Sequence, residues 1–379
     1  MNGERHIHGR AFVDGAIKDD ILITLRGTAI VDVMQIAVAP AAADRVRGLI
    51  VPGFVDVHVH GGDGADFTDG SAAANERIIT FHSRHGTTAL AATTLSASHS
   101  DLQTAVRAIA RTATDAPAGA EICGIHLEGP YINARNAGAQ DPASIRPSDI
   151  QELTALLGEA PRLRWMMTIA PEIDGARALI EHFRGRVLFA IGHTGAMFAD
   201  AVAALEWGAS HFTHLFNAMT GMHHREPGVV GAALESVDAT AELIADGVHV
   251  HPAVLRIACT AMPNRIALIT DAIRACGMPE GKYKLYDYEV TVADGMARLA
   301  NGALAGSVLT MECAVQNMVE LAGLPVDKVI PMATEIPARI LGVADRKGRL
   351  ENGYDADVVI LSEKCEVERV FTRGQEVKG

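Results

Sequence analysis

The chain has 379 residues, 49% hydrophobic and 21% charged, with a formal net charge of −13. This length predicts one large domain with a smaller companion, and the acidic balance excludes a general nucleic-acid binder, which needs a basic footprint. No apolar run reaches the roughly 20 residues that span a bilayer.

The opening MNGERHIHGR carries no signal-peptide apolar segment. Residues 1–50 then hold short β-like pieces at His6–Val13, Ile21–Leu25 and Ala29–Val33. Next comes Val55 to Gly62, VDVHVHGG. Side chains two apart on a strand share a face, so Asp56, His58 and His60 point one way and the valines the other. A half-solvated strand shows the same alternation, but here an apolar run (Leu49–Phe54) precedes it and Gly61-Gly62 follows. The segment reads as an apolar strand whose flexible end presents two imidazoles, the beginning of a divalent-metal site.

From there the sequence alternates short apolar runs with helix-like segments. Eight strands are predicted: Val55–His58, Thr88–Thr93, Ile122–Leu127, Arg164–Ile169, Val187–Ile191, Ser210–Thr213, Ala241–Ala245 and Ile266–Thr270. Helical spacing lies between them at Asp101–Ala113, Ile150–Leu157, Ala176–Phe183 and Ala199–Trp207. Capping boxes are expected at Ser100–Gln103 and Ser148–Gln151. Eight strand–helix units imply an α/β fold, a closed TIM-type (β/α)₈ barrel. An open doubly wound sheet competes, but no GxGxxG follows the first strand. Past the barrel, Asp357–Leu361 and Val367–Val377 look β-like again. Each flank is short for a core of its own, so residues 1–50 and 343–379 are expected to join in one small β-sandwich-like domain beside a barrel of 51–342.

Barrel active sites lie at the C-terminal ends of the strands, and six of the eight ends here carry a ligating or proton-moving group: His58 and His60, Glu128, His193, His214, Asp246 with His249, and Asp271. One histidine after a strand is ordinarily a hydrogen-bonded loop residue, and His82, His85, His99, His182 and His211 are read so; His126 is left unassigned. Joint placement at one rim favours chemistry. Glu128, His193 and His214 make a catalytic-type metal set with an open position, His58 and His60 offer a second cation with Glu128 bridging, and Asp271 is placed to move a proton. Arg225 offers a fork for phosphate or carboxylate, or else a partner for Glu226. Leu304–Ser307 is a small-residue loop a ligand can approach. Five dispersed cysteines, Cys123, Cys259, Cys276, Cys313 and Cys365, form no CxxC pair, which fits a reducing, cytoplasmic setting.

The stretches PGFVDVHVHGG, GIHLEGPYIN, IGHTGA, THLFNAMTGMHHREPG, ADGVHVHP, LITDAI and LAGSVLTM, with the closing ATEIPARILG and GRLENGYDADVVIL, resemble the amidohydrolase superfamily and, within it, the N-acetylglucosamine-6-phosphate deacetylases. The resemblance implies a barrel with a small β-domain from both termini, and hydrolysis of the N-acetyl group of a hexosamine 6-phosphate. It implies one or two divalent ions (zinc foremost, with iron, cobalt or manganese able to share such ligands) on Glu128, His193, His214, His58 and His60, and Asp271 as proton shuttle. It places Ala139, Gln140, Asn217, Ala218, Arg225, His249 and the loop Leu304, Ala305, Gly306 against the sugar phosphate. An arginine reaching into a neighbour's site implies a homodimer. Gln140 departs from the family's usual histidine, and Ile336 from its usual asparagine. Glucosamine and galactosamine configurations stay open as substrates. A cyclic-amide hydrolase of the superfamily is the alternative, although no lysine for carboxylation follows the fourth strand. A barrel serving only as a binding protein would be expected to have lost ligands that this one keeps.

Overall fold

The eight apolar runs of the middle form eight parallel strands: β1 (Phe54–Val59), β2 (Thr87–Thr94), β3 (Glu121–Glu128), β4 (Arg164–Ile169), β5 (Leu188–Ile191), β6 (His211–Phe212), β7 (Thr240–Ile244) and β8 (Ile266–Ile269). This is a computed structural model, which describes residues 4–285 and 288–378. Neighbours in sequence are neighbours in the sheet from β1 to β8. Backbone beyond the strand ends completes the ring: Asp271 N donates to His58 O at 2.9 Å and His60 N to Ala272 O at 2.9 Å. Lower down, Thr270 Oγ1 donates to Asp56 Oδ2 at 2.5 Å. Asp56 therefore serves closure rather than the rim, and burial pushes its carboxyl up to about 7. Every residue of β1 and β2 is buried, as expected where one face meets helices and the other fills a ring.

The helices fall where the spacing places them, but both caps shift. Ser98, not Ser100, caps His99–Asp115 by accepting from Asp101 N. Asp149, not Ser148, caps Ile150–Glu159, one carboxylate oxygen accepting from both Gln151 N and Glu152 N. Asp149→Ala is expected to cost about 1 kcal/mol; an unchanged chemical-denaturation curve would refute the cap.

Both termini contribute to a single seven-stranded sheet. Asp44–Pro52 lies at its centre, with Glu4–Val13, Ala16–Arg26 and Ala29–Gln35 on one side and Val358–Leu361, Val367–Thr372 and Gln375–Glu376 on the other. The run expected over Val367–Val377 breaks at Arg373-Gly374, which both take positive φ. Ile7, Ile23, Ile30, Ile50, Val358 and Phe371 form a core separate from the barrel's.

A three-stranded antiparallel sheet, Gly281–Leu285, Tyr288–Ala293 and Met296–Leu299, follows β8 and was not expected. Its buried residues Leu285, Val290, Val292 and Ala297 pack on Leu95, Ile273 and Ala305, which sets Leu285 on the wall of the cavity at the barrel mouth. The alternation around Asp294-Gly295 is an ordinary hairpin signal.

Candidate metal centre and substrate cavity

Three of the candidate site residues leave their strands by the same device. His193, His214 and Asp271 each sit two residues beyond β5, β6 and β8, and each takes positive φ (47°, 27° and 48°). Non-glycine residues rarely adopt this conformation, which persists where surrounding structure enforces it. Here the turn brings each side chain over the mouth of the ring.

The side chains converge. His193 Nε2 and His214 Nε2 each lie 3.0 Å from Glu128 Oε1 and 3.0 Å from one another. His58 Nε2 and His60 Nε2 are 3.2 Å apart. His60 Nε2 is 3.2 Å from Glu128 Oε2 and 3.3 Å from Asp271 Oδ1. Two clusters result, Glu128–His193–His214 and His58–His60–Asp271, each able to hold an ion, with Glu128 turning one oxygen to each. Two imidazole nitrogens facing at such distances cannot both donate to each other; a proton or a cation must lie between. A tetrahedral shell with about 2.0–2.1 Å metal–nitrogen bonds has edges of about 3.3 Å, so the donors present fit a divalent ion.

The charges agree. Burial alone would raise the Glu128 and Asp271 carboxyls, yet both are held below the ordinary range, Glu128 by His193 and His58, Asp271 by His58 and His60. Conversely burial would lower His60, but Asp271 and Glu128 bring it to about 9. Protons on these rings occupy the lone pairs a cation needs, so metal uptake must release them.

A further layer orients the ligands. His193 Nδ1 donates to Asn136 O at 2.8 Å, leaving Nε2 free. Glu172 accepts from Thr194 Oγ1 at 2.5 Å, Gly195 N at 2.6 Å and Asn133 Nδ2 at 2.8 Å, which ties the His193 turn to the loop after β3. His126 also clusters with His58 and Glu242, but Nδ1 donates to Val57 O at 3.1 Å and Nε2 accepts from Thr168 Oγ1 at 2.8 Å. Both nitrogens are engaged. Burial and the neighbouring His58 push His126 down to about 3, so it is a neutral hydrogen-bonded core residue. Of the histidines read as structural, His82 bonds Gly61 O, whereas His211 bonds Glu242.

The cavity measures ≈ 380 Å³ and is lined by His60, Glu128, His193, His214 and Asp271 together with Ala139, Gln140, Asn217, Ala218, His249, Leu304 and Gly306. His58 lies fully buried behind His60, and Ala305 is buried beneath the loop. Arg225 is exposed, its guanidinium on His224 Nε2 at 2.8 Å, and is not part of the wall. His249 Nδ1 donates to Asp246 Oδ2 at 2.6 Å; burial opposes a charge on His249, but Asp246 prevails and raises its pKa. Gln140 accepts from Ser96 N at 2.6 Å and donates through Nε2 to Glu128 Oε2. Its amide is therefore fixed and steers Glu128.

Sequence reasoning passed over two residues. Arg135, in the loop between Asn133 and Gln140, lines the cavity, and among the described residues its guanidinium has no side-chain partner. Glu242, in the apolar run TAELIA, is 0% exposed. A lone acid within an otherwise apolar strand was the available signal.

The amidohydrolase family model matches residues 49–377. The N-acetylgalactosamine-6-phosphate deacetylase of Escherichia coli O157:H7 is 40% identical over 336 residues, 88% of this chain and 89% of that one. The N-acetylglucosamine-6-phosphate deacetylase of Bacillus subtilis (strain 168) is 41% identical over 339 residues, 88% of this chain and 85% of its own. Among solved structures, an aspartate-to-alanine variant of the N-acetyl-D-glucosamine-6-phosphate deacetylase of Mycobacterium smegmatis, in complex with N-acetyl-D-glucosamine-6-phosphate, superposes with a TM-score of 0.94 at 35% identity over 100% of both chains. The matched span takes in both the converging side chains and the last strands, and the chain belongs to the amidohydrolase family.

Proposed function

We propose that the chain hydrolyses the N-acetyl group of N-acetylglucosamine 6-phosphate to glucosamine 6-phosphate and acetate. The observation that carries this reading is the convergence of Glu128, His193, His214 and Asp271 in a cavity of ≈ 380 Å³ also lined by Asn217, Ala218 and His249. Two deacetylases of hexosamine 6-phosphates at 40% and 41% identity support it.

Glu128, His193 and His214 would hold one divalent ion, and His58 and His60 a second beside Asp271. When bound, such an ion, with zinc the leading candidate, polarises the amide carbonyl and brings the pKa of water to about 7. Asp271 takes the proton of the attacking water and returns it to the amide nitrogen as the C–N bond breaks. His249, hydrogen-bonded to Asp246, and Asn217 and Ala218 bind the sugar phosphate, and Arg135 offers the phosphate a planar fork. Leu285, Ile273 and Leu304 give the same cavity an apolar wall. An Arg225 that stands outside its own cavity supports a homodimer in which it serves the neighbour. Free cysteines throughout support a reducing, cytoplasmic setting.

A panel of N-acyl hexosamines with and without the 6-phosphate, assayed for amine release, tests the reading. The phosphate is expected to raise kcat/KM by roughly 100-fold or more, the worth of one or two charge-assisted hydrogen bonds. Equal activity without phosphate would overturn the assignment of Arg135 and His249. The Escherichia coli relative's activity motivates the second reading, the galactosamine epimer, which the same panel distinguishes.

A further inference from the structure

Glu242 lies in the middle of β7, is 0% exposed, and none of its oxygens faces the substrate cavity. Burying a carboxylate so completely is costly unless it is well hydrogen-bonded, and Glu242 accepts three hydrogen bonds. Oε2 accepts from His58 Nδ1 at 2.9 Å and from His214 N at 3.0 Å. Oε1 accepts from His211 Nε2 at 3.1 Å, whose Nδ1 meets Thr240 Oγ1 at 2.7 Å. One side chain thus grips a member of each ligand cluster: the ring of His58 and the backbone of His214.

We propose that Glu242 is a positioning residue for the second cation, fixing the proton of His58 on Nδ1 so that the Nε2 lone pair is presented beside His60 and Asp271. An imidazole has only two tautomers, and the hydrogen bond at one nitrogen decides what the other can do. Without an acceptor at Nδ1 the His58 proton can move to Nε2, where it would point at His60 Nε2 and block the ion. A carboxylate acceptor also makes the opposite nitrogen a stronger donor to metal. The effect falls on the second ion because Glu242 reaches the first cluster only through the His214 main chain, whereas His193 takes its tautomer from Asn136 O.

The inference rests on the reading that His58 and His60 hold a second ion, and the experiment separates the two. Zinc binding to the full chain is measured by chelator competition for wild type, His60→Ala and Glu242→Gln. Glutamine can still accept from His58 and His214 through its oxygen while its amide faces His211, which can change tautomer, so the fold is expected to persist. A neutral amide oxygen, however, holds the proton on His58 Nδ1 less firmly than a carboxylate and does not strengthen Nε2 as a donor to metal. Wild type is expected to hold two ions and H60A one. E242Q should hold the first ion with unchanged affinity and the second about 10- to 100-fold more weakly. Binding of one ion by wild type would overturn the two-ion reading itself. Two ions in E242Q at wild-type affinity, or equal weakening of both, would overturn the role of Glu242 and leave that reading standing. Should E242Q not fold, Glu242→Asp, which keeps the charge but withdraws it from His58, is expected to show the same selective loss. Failure of both variants to fold, with metal-free wild type stable, would make the residue structural and refute the inference.

Discussion

Asp271→Asn is expected to lower kcat for amine release by at least 10²–10⁴-fold, the worth of a positioned acid–base group, while zinc content at the Glu128 cluster stays at the wild-type level. Asn keeps the shape and one oxygen of Asp271, so the contacts of Oδ1 with His58 at 3.5 Å and His60 at 3.3 Å can persist. What it lacks is the capacity to take a proton. The backbone bond from Asp271 N to His58 O, which helps close the ring, is also retained, so the fold is not at issue. Metal analysis and a deacetylation assay on the same preparation decide the matter. Activity within about tenfold of wild type would remove Asp271 from the proton pathway.

Lys347→Met is expected to destabilise the chain by about 3–5 kcal/mol, a fall of roughly 4–6 °C in the thermal midpoint. Lys347 is 2% exposed, and its Nζ lies 2.7 Å from Asp357, 2.8 Å from Asp355 and 2.9 Å from Glu121. Glu121 begins β3, whereas Asp355 and Asp357 lead into the strand Val358–Leu361, so the ammonium fastens the terminal sheet to the barrel. Removing it leaves the buried Asp357 without a cation, while Glu121 and Asp355 keep Arg346. Burial would raise Glu121, yet Arg346 and Lys347 hold it at about 2 against an ordinary 4.5. A folded pKa below the unfolded one gives stability that is complete above about 4.5 and lost as pH falls towards 2. Wild type should therefore lose more stability across that interval than the variant does. Midpoints that coincide at neutral pH would show that the ammonium contributes nothing net.

The barrel was legible because each strand is an apolar run of the right length between helical segments, and that pattern is local. Its eight runs and four of its helices lie within a residue or two of their expected places. Even the rim was legible, since fold class fixes which end of a strand carries chemistry and His58, His60, Glu128, His193, His214 and Asp271 all lie there. The caps were misplaced by one or two residues because Ser98 and Ser100, or Ser148 and Asp149, are equally good acceptors in sequence. Only the path of the backbone selects between them.

What the amino-acid order determined alone was the alternation of strand and helix and the kinds of ligand at the strand ends. Tertiary structure decided the rest. It turned Glu128 so that one oxygen meets each cluster, drew Arg225 out of the cavity, brought Arg135 to its wall, and set Glu242 behind His58 across 184 residues of chain. A strand's periodicity reports which face a side chain takes, but a hydrogen bond or a shared ion depends on tenths of an ångström between residues far apart in sequence. Those distances exist only once the ring has closed.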